Sequence, residues 1–408
     1  MKYTQYILKR KIEDVFIYSF ICLGRIIAWL RPLKKEYKVF FFFPCYHTGG
    51  AEKVHVQIAE AVGSADCIIY FTRKSKDNTF LKSFENTRCD IKDISPFTDN
   101  KWLFFLNLLF RGVVAGRINK QKGRPIVFNG QSNFAYKISP WIQKEIVQIE
   151  LIHALNTFSF IRIPFIHHYA KCLTVSQQIV DRHVQVYEKI GVPELLLARF
   201  SFIETRIQLP GNIAEKDYYY SPLRLLYVGR GTEEKRVHIV AEIAEKLFSG
   251  KLPVEVHFAG DVKDAIPEKL HKYCHFHGNV NNEEELNSLY DRCHILFVTS
   301  VTESGPLVIM EAMARGLAIV TTDVGFVSAY VLNDINGFKV SAHLREEEIV
   351  TAMSEYVKLV YYDRNKLAEI GRNNIKTAYS HFDVESFKSS YKSLFAACVK
   401  HINPTIPF

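Results

Sequence analysis

Residues 294–321 read HILFVTSVTESGPLVIMEAMARGLAIVT, and they decide the fold class. The run 294–299 is apolar, of strand length and partly β-branched, which marks a buried strand rather than an amphipathic one. Residues 300–305 break it with small and polar groups. Pro306 suits the first turn of a helix, where its missing N–H costs nothing, and a helical pattern continues to residue 315. A second apolar strand follows at 317–321. Two buried strands joined through a helix imply a parallel sheet covered by helices on both faces.

The same rhythm extends outward from that unit. Before it come strand 223–228, loop 229–236, helix 237–248, strands 254–259 and 275–278, and helix 282–293. Further upstream, 206–221 breaks the pattern with Pro210, Gly211 and the Tyr218-Tyr219-Tyr220 cluster, and reads as a linker. An earlier series opens with 38–44 (KVFFFFP), then His47-Thr48-Gly49-Gly50 and helix 51–62. It continues through strand 67–72, a helical stretch 101–118, and strands 125–129, 146–153 and 171–176. The chain end is helical over 384–401. Two alternating series joined by one linker predict a two-lobed α/β protein. The expected divisions are 1–37, 38–205, the linker 206–221, 222–380, and a terminal helix in 381–408 packing back toward the first domain. In open parallel sheets ligands bind beyond the carboxyl ends of the strands, so the loops after the strands carry the chemistry.

Composition narrows the classes. The 408 residues are 48% hydrophobic and 23% charged, which excludes wholesale disorder and collagen-like repeats and allows two or three domains with large cores. The net charge of +9 is uneven: residues 1–38 hold nine Lys and Arg against Glu13, Asp14 and Glu36, or +6, leaving +3 for the other 370. A near-neutral body with a basic N-terminus is not a polycation built to coat nucleic acid. Eight scattered cysteines without a Cys-x-x-Cys pair read as reduced, mostly buried thiols of a cytosolic protein.

Residues 15–30 (VFIYSFICLGRIIAWL) are apolar apart from Ser19, Gly24 and Arg25. That run is shorter than the roughly 20 apolar residues of a spanning helix, and Trp29-Leu30-Arg31-Pro32 is a poor signal-cleavage site. It suits a helix in the membrane interface, with aromatics at lipid level and lysines at the head groups. A helix packed on the core would show the same pattern. On the first reading, the protein sits peripherally on the cytoplasmic face of the membrane.

Two loops have the residues for a phosphorylated ligand. Glu303 follows a buried strand, Ser304-Gly305 allow close backbone approach, and the helix start after Pro306 offers free N–H groups and a positive dipole end. Glu311 lies among Leu307, Val308, Ile309, Met310, Ala312 and Met313, where an unpaired carboxylate is costly. It needs either ligand hydroxyls or a salt bridge to a nearby Arg or Lys. Glu303 and Glu311 together could flank a nucleotide sugar. In 223–236 (LRLLYVGRGTEEKR), Arg230 and Lys235 could neutralise a diphosphate; as isolated surface charges they would simply be solvated.

The stretch Glu303-Ser304-Gly305-Pro306-Leu307-Val308-Ile309-Met310-Glu311 resembles the E-x7-E signature of the family 4 retaining glycosyltransferases, which have the GT-B fold: two Rossmann-like parallel-sheet domains facing across a cleft. Gly229-Arg230 with Glu234-Lys235 is similar to that family's GR-x-x-x-EK element. Phe258-Ala259-Gly260-Asp261, Gly278-Asn279-Val280 and Asn336-Gly337-Phe338 resemble lesser landmarks. In the first half, Gly49-Gly50-Ala51-Glu52 and Leu173-Thr174-Val175-Ser176 do the same. The resemblance implies that Glu303 contacts the donor sugar and Glu311 the ribose. Gly305, Pro306 and Leu307 form the donor-binding helix start, and Arg230 and Lys235 stabilise the leaving diphosphate. It further implies that Gly50 lets the first-domain loop close on the phosphates, and that His153 lies by the anomeric centre; as a structural histidine, His153 would instead be satisfied in the core. No cofactor is implied. The partners are a UDP- or GDP-sugar and a glycan or lipid-linked acceptor, and the implied reaction is retaining, metal-independent transfer of a hexose-type sugar in bacterial surface polysaccharide, lipopolysaccharide or glycolipid synthesis.

The sequence departs from the pattern at Arg236, where the family has glycine, which would crowd or extend the phosphate site. It departs also at Ala318, at Phe326 and Ala329, and around Phe202-Ile203-Glu204. No Asp-x-Asp occurs; in the apparent cluster His271–His277, His275 and His277 alternate with Phe276 as in a strand and no second ligand pair has finger spacing, so no metal site is expected. No Gly-x-Gly-x-x-Gly follows the first strand. A sugar-nucleotide isomerase or epimerase on the same scaffold, or a non-catalytic binding subunit, are the alternatives.

Overall fold

The computed structural model describes residues 1–402 except Ser304, Pro306 and Phe326, with side chains through Cys398. The chain divides into two compact units: Met1–Glu204 together with the chain from Glu385 onward, and Thr205–Val384.

The first unit is built on seven parallel strands: β1 (Val39–Phe43), β2 (Cys67–Phe71), β3 (Asp90–Asp93), β4 (Ile126–Asn129), β5 (Gln148–Ile152), β6 (Lys171–Thr174) and β7 (Phe200–Phe202). Their order is β3-β2-β1-β4-β5-β6-β7. Val39 pairs with both Cys67 and Ile126, so β1 is central and all five of its residues are buried. That is why KVFFFFP carries no polar alternation. The helix Val384–Ile402 sets Phe395 against Phe41 and Phe128, and Lys388 against Glu60 at 3.2 Å. Inside β5, Glu150 is fully buried, and its carboxylate accepts from Arg162, which is buried as well. The Arg162 guanidinium also donates to the Tyr187 hydroxyl, so the ion pair is enclosed in hydrogen bonds.

The N-terminal segment is one helix, Tyr3–Leu30. It packs along Phe104–Asn119 through a small-residue seam. A Cβ on Gly24 would lie 2.2 Å from the Leu109 carbonyl oxygen, and one on Gly112 would lie 2.3 Å from that of Ile21. Arg25, the charge inside the apolar run, donates to the Trp141 carbonyl at 3.1 Å. Arg10, also buried, pairs with Asp14 and Glu13. The helix is thus docked on its own unit along one face, while the opposite face leaves Val15, Phe16, Ile26 and Trp29 exposed. Among the described residues, no helix is long and apolar enough to cross a membrane.

The second unit has six parallel strands: β8 (Leu223–Val228), β9 (Val254–Ala259), β10 (His275–Gly278), β11 (Ile295–Val298), β12 (Ala318–Asp323) and β13 (Gly337–Ser341), in the order β10-β9-β8-β11-β12-β13. Residues 206–221, read from sequence as a linker, are woven into it. Ile207 bridges to Asp383. Lys216 Nζ donates to the carbonyls of Tyr290, Asp291 and Cys293, and Tyr218 to that of Gly316. The strand order reverses between β8 and β11, and in the first unit between β1 and β4. Those two crevices are where a doubly wound sheet binds ligands.

Candidate functional site

In the second unit the reversal point places two loops side by side, one after β8 and one after β11. They are zippered by a backbone hydrogen bond and by a threonine hydroxyl. Val301 N–H donates to the Glu234 carbonyl at 2.8 Å, and Thr299 Oγ1 donates to the carbonyls of Lys235 and Arg236 at 2.9 and 3.0 Å. The neighbouring β9 loop comes close as well. Gly260 sits at φ +132°, and a Cβ there would meet the Gly229 carbonyl oxygen at 1.9 Å, so only glycine fits.

This lock brings Lys235 and Glu303 together. Lys235 Nζ donates to Glu303 Oε1 at 2.6 Å, and Ser300 Oγ donates to the same oxygen at 2.6 Å. Glu303 is only 8% exposed. Burial, then the negative charge of Glu303, pushes the nearby Tyr227 hydroxyl well above its usual range. A carboxylate so held can accept from ligand hydroxyls, and the adjacent ammonium can serve a phosphate.

Arg230 is not part of that group. Its side chain is three-quarters exposed and faces Glu234 at 3.6 Å. Glu311, on the helix Leu307–Ala314, accepts from the Tyr290 hydroxyl at 3.0 Å, and Tyr290 itself is fully buried. Burial and the Glu311 charge keep that phenol protonated. Leu307 is buried at the start of the helix and Gly305 is partly exposed, while Pro306 lies outside the described residues.

Arg236 corrects the sequence reading. It adopts the left-handed conformation (φ 45°, ψ 45°), the reason a glycine would serve there. Its buried guanidinium turns inward, where Nε donates to the Thr299 carbonyl at 2.9 Å and Nη2 to that of Ser300 at 3.3 Å. It braces the two loops instead of crowding or extending a phosphate site.

In the first unit, Gly50 opens the helix Gly50–Val62 after the β1 loop. His153 follows β5, and its Nε2 meets His55 Nε2 at 2.9 Å. His55 is buried and stacks on Phe43 at 4.4 Å. Burial holds the His55 imidazole well below its ordinary pKa, with His153 adding to the effect, and brings His153 down to about 4. Both rings are therefore neutral, one Nε2–H donating to the other's lone pair.

Sequence reasoning missed Ser300, Tyr290 and His55. Thr299-Ser300 at a strand's carboxyl end and a histidine inside Val54-His55-Val56 were the available signals; Tyr290 had none, lying in an ordinary helix 21 positions before its partner. It also missed Cys45, His47 and Glu52, whose ligand-type atoms cluster around the β1 loop. Of the histidines of 271–277, His275 and His277 are strand residues that flank His257 of β9 in a stacked row, whereas His271 lies in the 3₁₀ turn Glu268–Tyr273 with its Nε2 2.9 Å from the Ile266 carbonyl oxygen.

Residues 214–377 match the family described as glycosyl transferases group 1. The lipopolysaccharide 1,2-N-acetylglucosaminetransferase of Salmonella typhimurium is 23% identical over 188 residues, covering 42% of this chain and 48% of that protein. The match thus spans about half of that relative's length. Among solved structures, Anabaena HepE in complex with UDP and glucose superposes with TM-score 0.66 at 16% identity, over 89% of this chain and all of that one. A glycosyltransferase from Rickettsia africae gives 0.64 at 17% identity, over 90% and 99%. Two Rossmann-like parallel-sheet units in this connectivity make the fold GT-B.

Proposed function

We propose that the protein is a retaining glycosyltransferase that moves a hexose-type sugar from a nucleoside diphosphate sugar to a glycan or lipid-linked acceptor, with no metal in the transfer step. The observation that carries this reading is the Lys235–Glu303–Ser300 group at the sheet's reversal point, inside the stretch that matches glycosyl transferases group 1. Lys235 offers positive charge where a diphosphate leaves, and that charge matters most as the anion develops. Glu303 accepts from donor-sugar hydroxyls, exchanging the Lys235 contact for them. Glu311, steadied by Tyr290, takes the ribose. Arg230, three-quarters exposed and facing the surface carboxylate of Glu234 at 3.6 Å, can turn onto the phosphates. From the first unit we assign Gly50 and His153 to the same reaction.

UDP is the favoured nucleotide, since HepE was crystallised with UDP-glucose and with UDP. Bacterial surface polysaccharide, lipopolysaccharide or glycolipid synthesis is the favoured setting, given the Salmonella relative and a similar lipopolysaccharide outer core galactosyltransferase, WaaB. The exposed apolar face of helix Tyr3–Leu30 supports a place on the inner membrane surface.

The test is turnover with UDP-, GDP- and dTDP-sugars, with and without lipid-linked acceptors. Acceptor-dependent nucleotide release, with the donor's anomeric configuration kept in the product, supports the proposal. An epimerised sugar nucleotide, or binding without turnover, overturns it. Glu303→Gln and Lys235→Ala should each lower kcat/KM by about 10²–10³-fold, and wild-type rates in both would remove the site assignment.

A further inference from the structure

Beyond the transferase reading, and independent of it, the loop after β1 presents a second constellation. Cys45 lies in the loop, His47 two residues on, and Glu52 in the first turn of helix Gly50–Val62. Cys45 Sγ is 3.6 Å from His47 Nε2 and 3.3 Å from Glu52 Oε1, and His47 Nε2 is 3.8 Å from Glu52 Oε1. Three ligands at ordinary zinc bond lengths in a tetrahedron would stand about 3.5 Å apart for the sulfur pairs and about 3.3 Å for the nitrogen–oxygen pair. The three atoms are therefore already within about half an ångström of that arrangement.

We propose that Cys45, His47 and Glu52 form a site for a zinc-class divalent cation, which clamps the β1 loop onto the helix that follows it. The donor set is one sulfur, one imidazole nitrogen and one carboxylate oxygen, a mixture that selects zinc over magnesium or calcium. A thiolate and a carboxylate together cancel the dication's charge, which matters because Cys45 is buried and Glu52 nearly so. Binding breaks the S–H bond of Cys45, forms a sulfur–metal bond and releases that proton to solvent.

The loop is also preset. Tyr46 N–H donates to Ser75 Oγ at 2.9 Å, and Thr48 N–H to Asp77 Oδ1 at 3.1 Å. A Cβ on Gly49 would lie 2.1 Å from Glu52 Oε2, so the carboxylate rests directly on the loop backbone. Three protein ligands leave one coordination position for water or an oxygen anion. Gly49 and Gly50 lie between His47 and Glu52, so an ion there would fix the backbone of the glycine loop.

The experiment uses the full chain, stripped of metal and then titrated with zinc chloride or cobalt chloride. The expected results are one equivalent of zinc retained after desalting, a near-ultraviolet thiolate-to-cobalt band, and zinc protection of Cys45 from alkylation, read by peptide mapping. His47→Gln and Glu52→Gln should abolish the protection, whereas Cys67→Ser should keep it. Should the variants fail to fold, the cobalt band and the Cys45 protection in the wild-type chain still decide. No band and no protection overturns the site, and so does protection that survives in folded His47→Gln and Glu52→Gln.

Discussion

His153 and His55 show how one contact sets a residue's chemistry. Their Nε2 atoms are 2.9 Å apart, and burial lowers both pKa values, that of His153 to about 4. In the unfolded chain each imidazole titrates near 6.5. Below that pH the unfolded state takes up protons the folded state refuses, so stability present above pH 6.5 is lost as pH falls toward 4. The urea midpoint should therefore drop across that window, and a His55→Gln chain, with one fewer titrating ring, should show a shallower slope. Equal slopes would mean that the pair is not held neutral by the fold. The same neutrality sets an expectation for catalysis: no ionisation of His153 should appear in kcat/KM between pH 6 and 8.

At the scale of elements, the seam between helices Tyr3–Leu30 and Phe104–Asn119 is decided by absent side chains. With Gly24 and Gly112 each within 2.3 Å of the other helix's carbonyl once given a Cβ, the backbones touch. Gly24→Val should force the helices apart and cost about 1–3 kcal/mol, read as a lowered Tm, while Ser19→Ala on the exposed side should leave Tm unchanged. A Gly24→Val chain as stable as the wild type would mean the helix is not docked there. This seam was illegible in the sequence, where Gly24 read only as a break in an apolar run. Interior strands were legible because burial on both faces leaves continuous apolar runs, as in VFFFF of β1. The short edge strands β3 (DIKD), β7 (FSF) and β13 (GFKVS) were not, since an edge is recognisable mainly from its neighbour. At the candidate site, Glu303 and Lys235 were legible from spacing. The inward turn of Arg236 was not, because it follows from a left-handed backbone that the local sequence does not announce. Ser300 and Tyr290 became visible only once tertiary packing set them beside the two carboxylates.

At the scale of the molecule, charge and apolar exposure coincide. Residues 1–38 carry +6 of the net +9. The same helix exposes Val15 and Phe16 at 75% and 77%, and Trp102 and Phe105 beside the partner helix at 95% and 67%. Phe20 stacks on Phe105 at 5.8 Å, which joins the two helices' apolar surfaces. Exposed aromatic and aliphatic side chains on a segment rich in lysine and arginine would fit an anionic lipid surface, where insertion buries the apolar groups and the bases meet head groups. Deleting the helix would bare its docking seam, so the better probe keeps the helix and changes its outer face. Phe16→Glu with Trp102→Glu should leave Tm and UDP binding intact, yet abolish cosedimentation with phosphatidylglycerol-containing vesicles. Wild-type binding should weaken with salt, because part of it is screened Coulomb attraction. Retention of the double variant on vesicles would overturn the membrane assignment, and so would a wild-type chain that stays off them and instead forms dimers through this face.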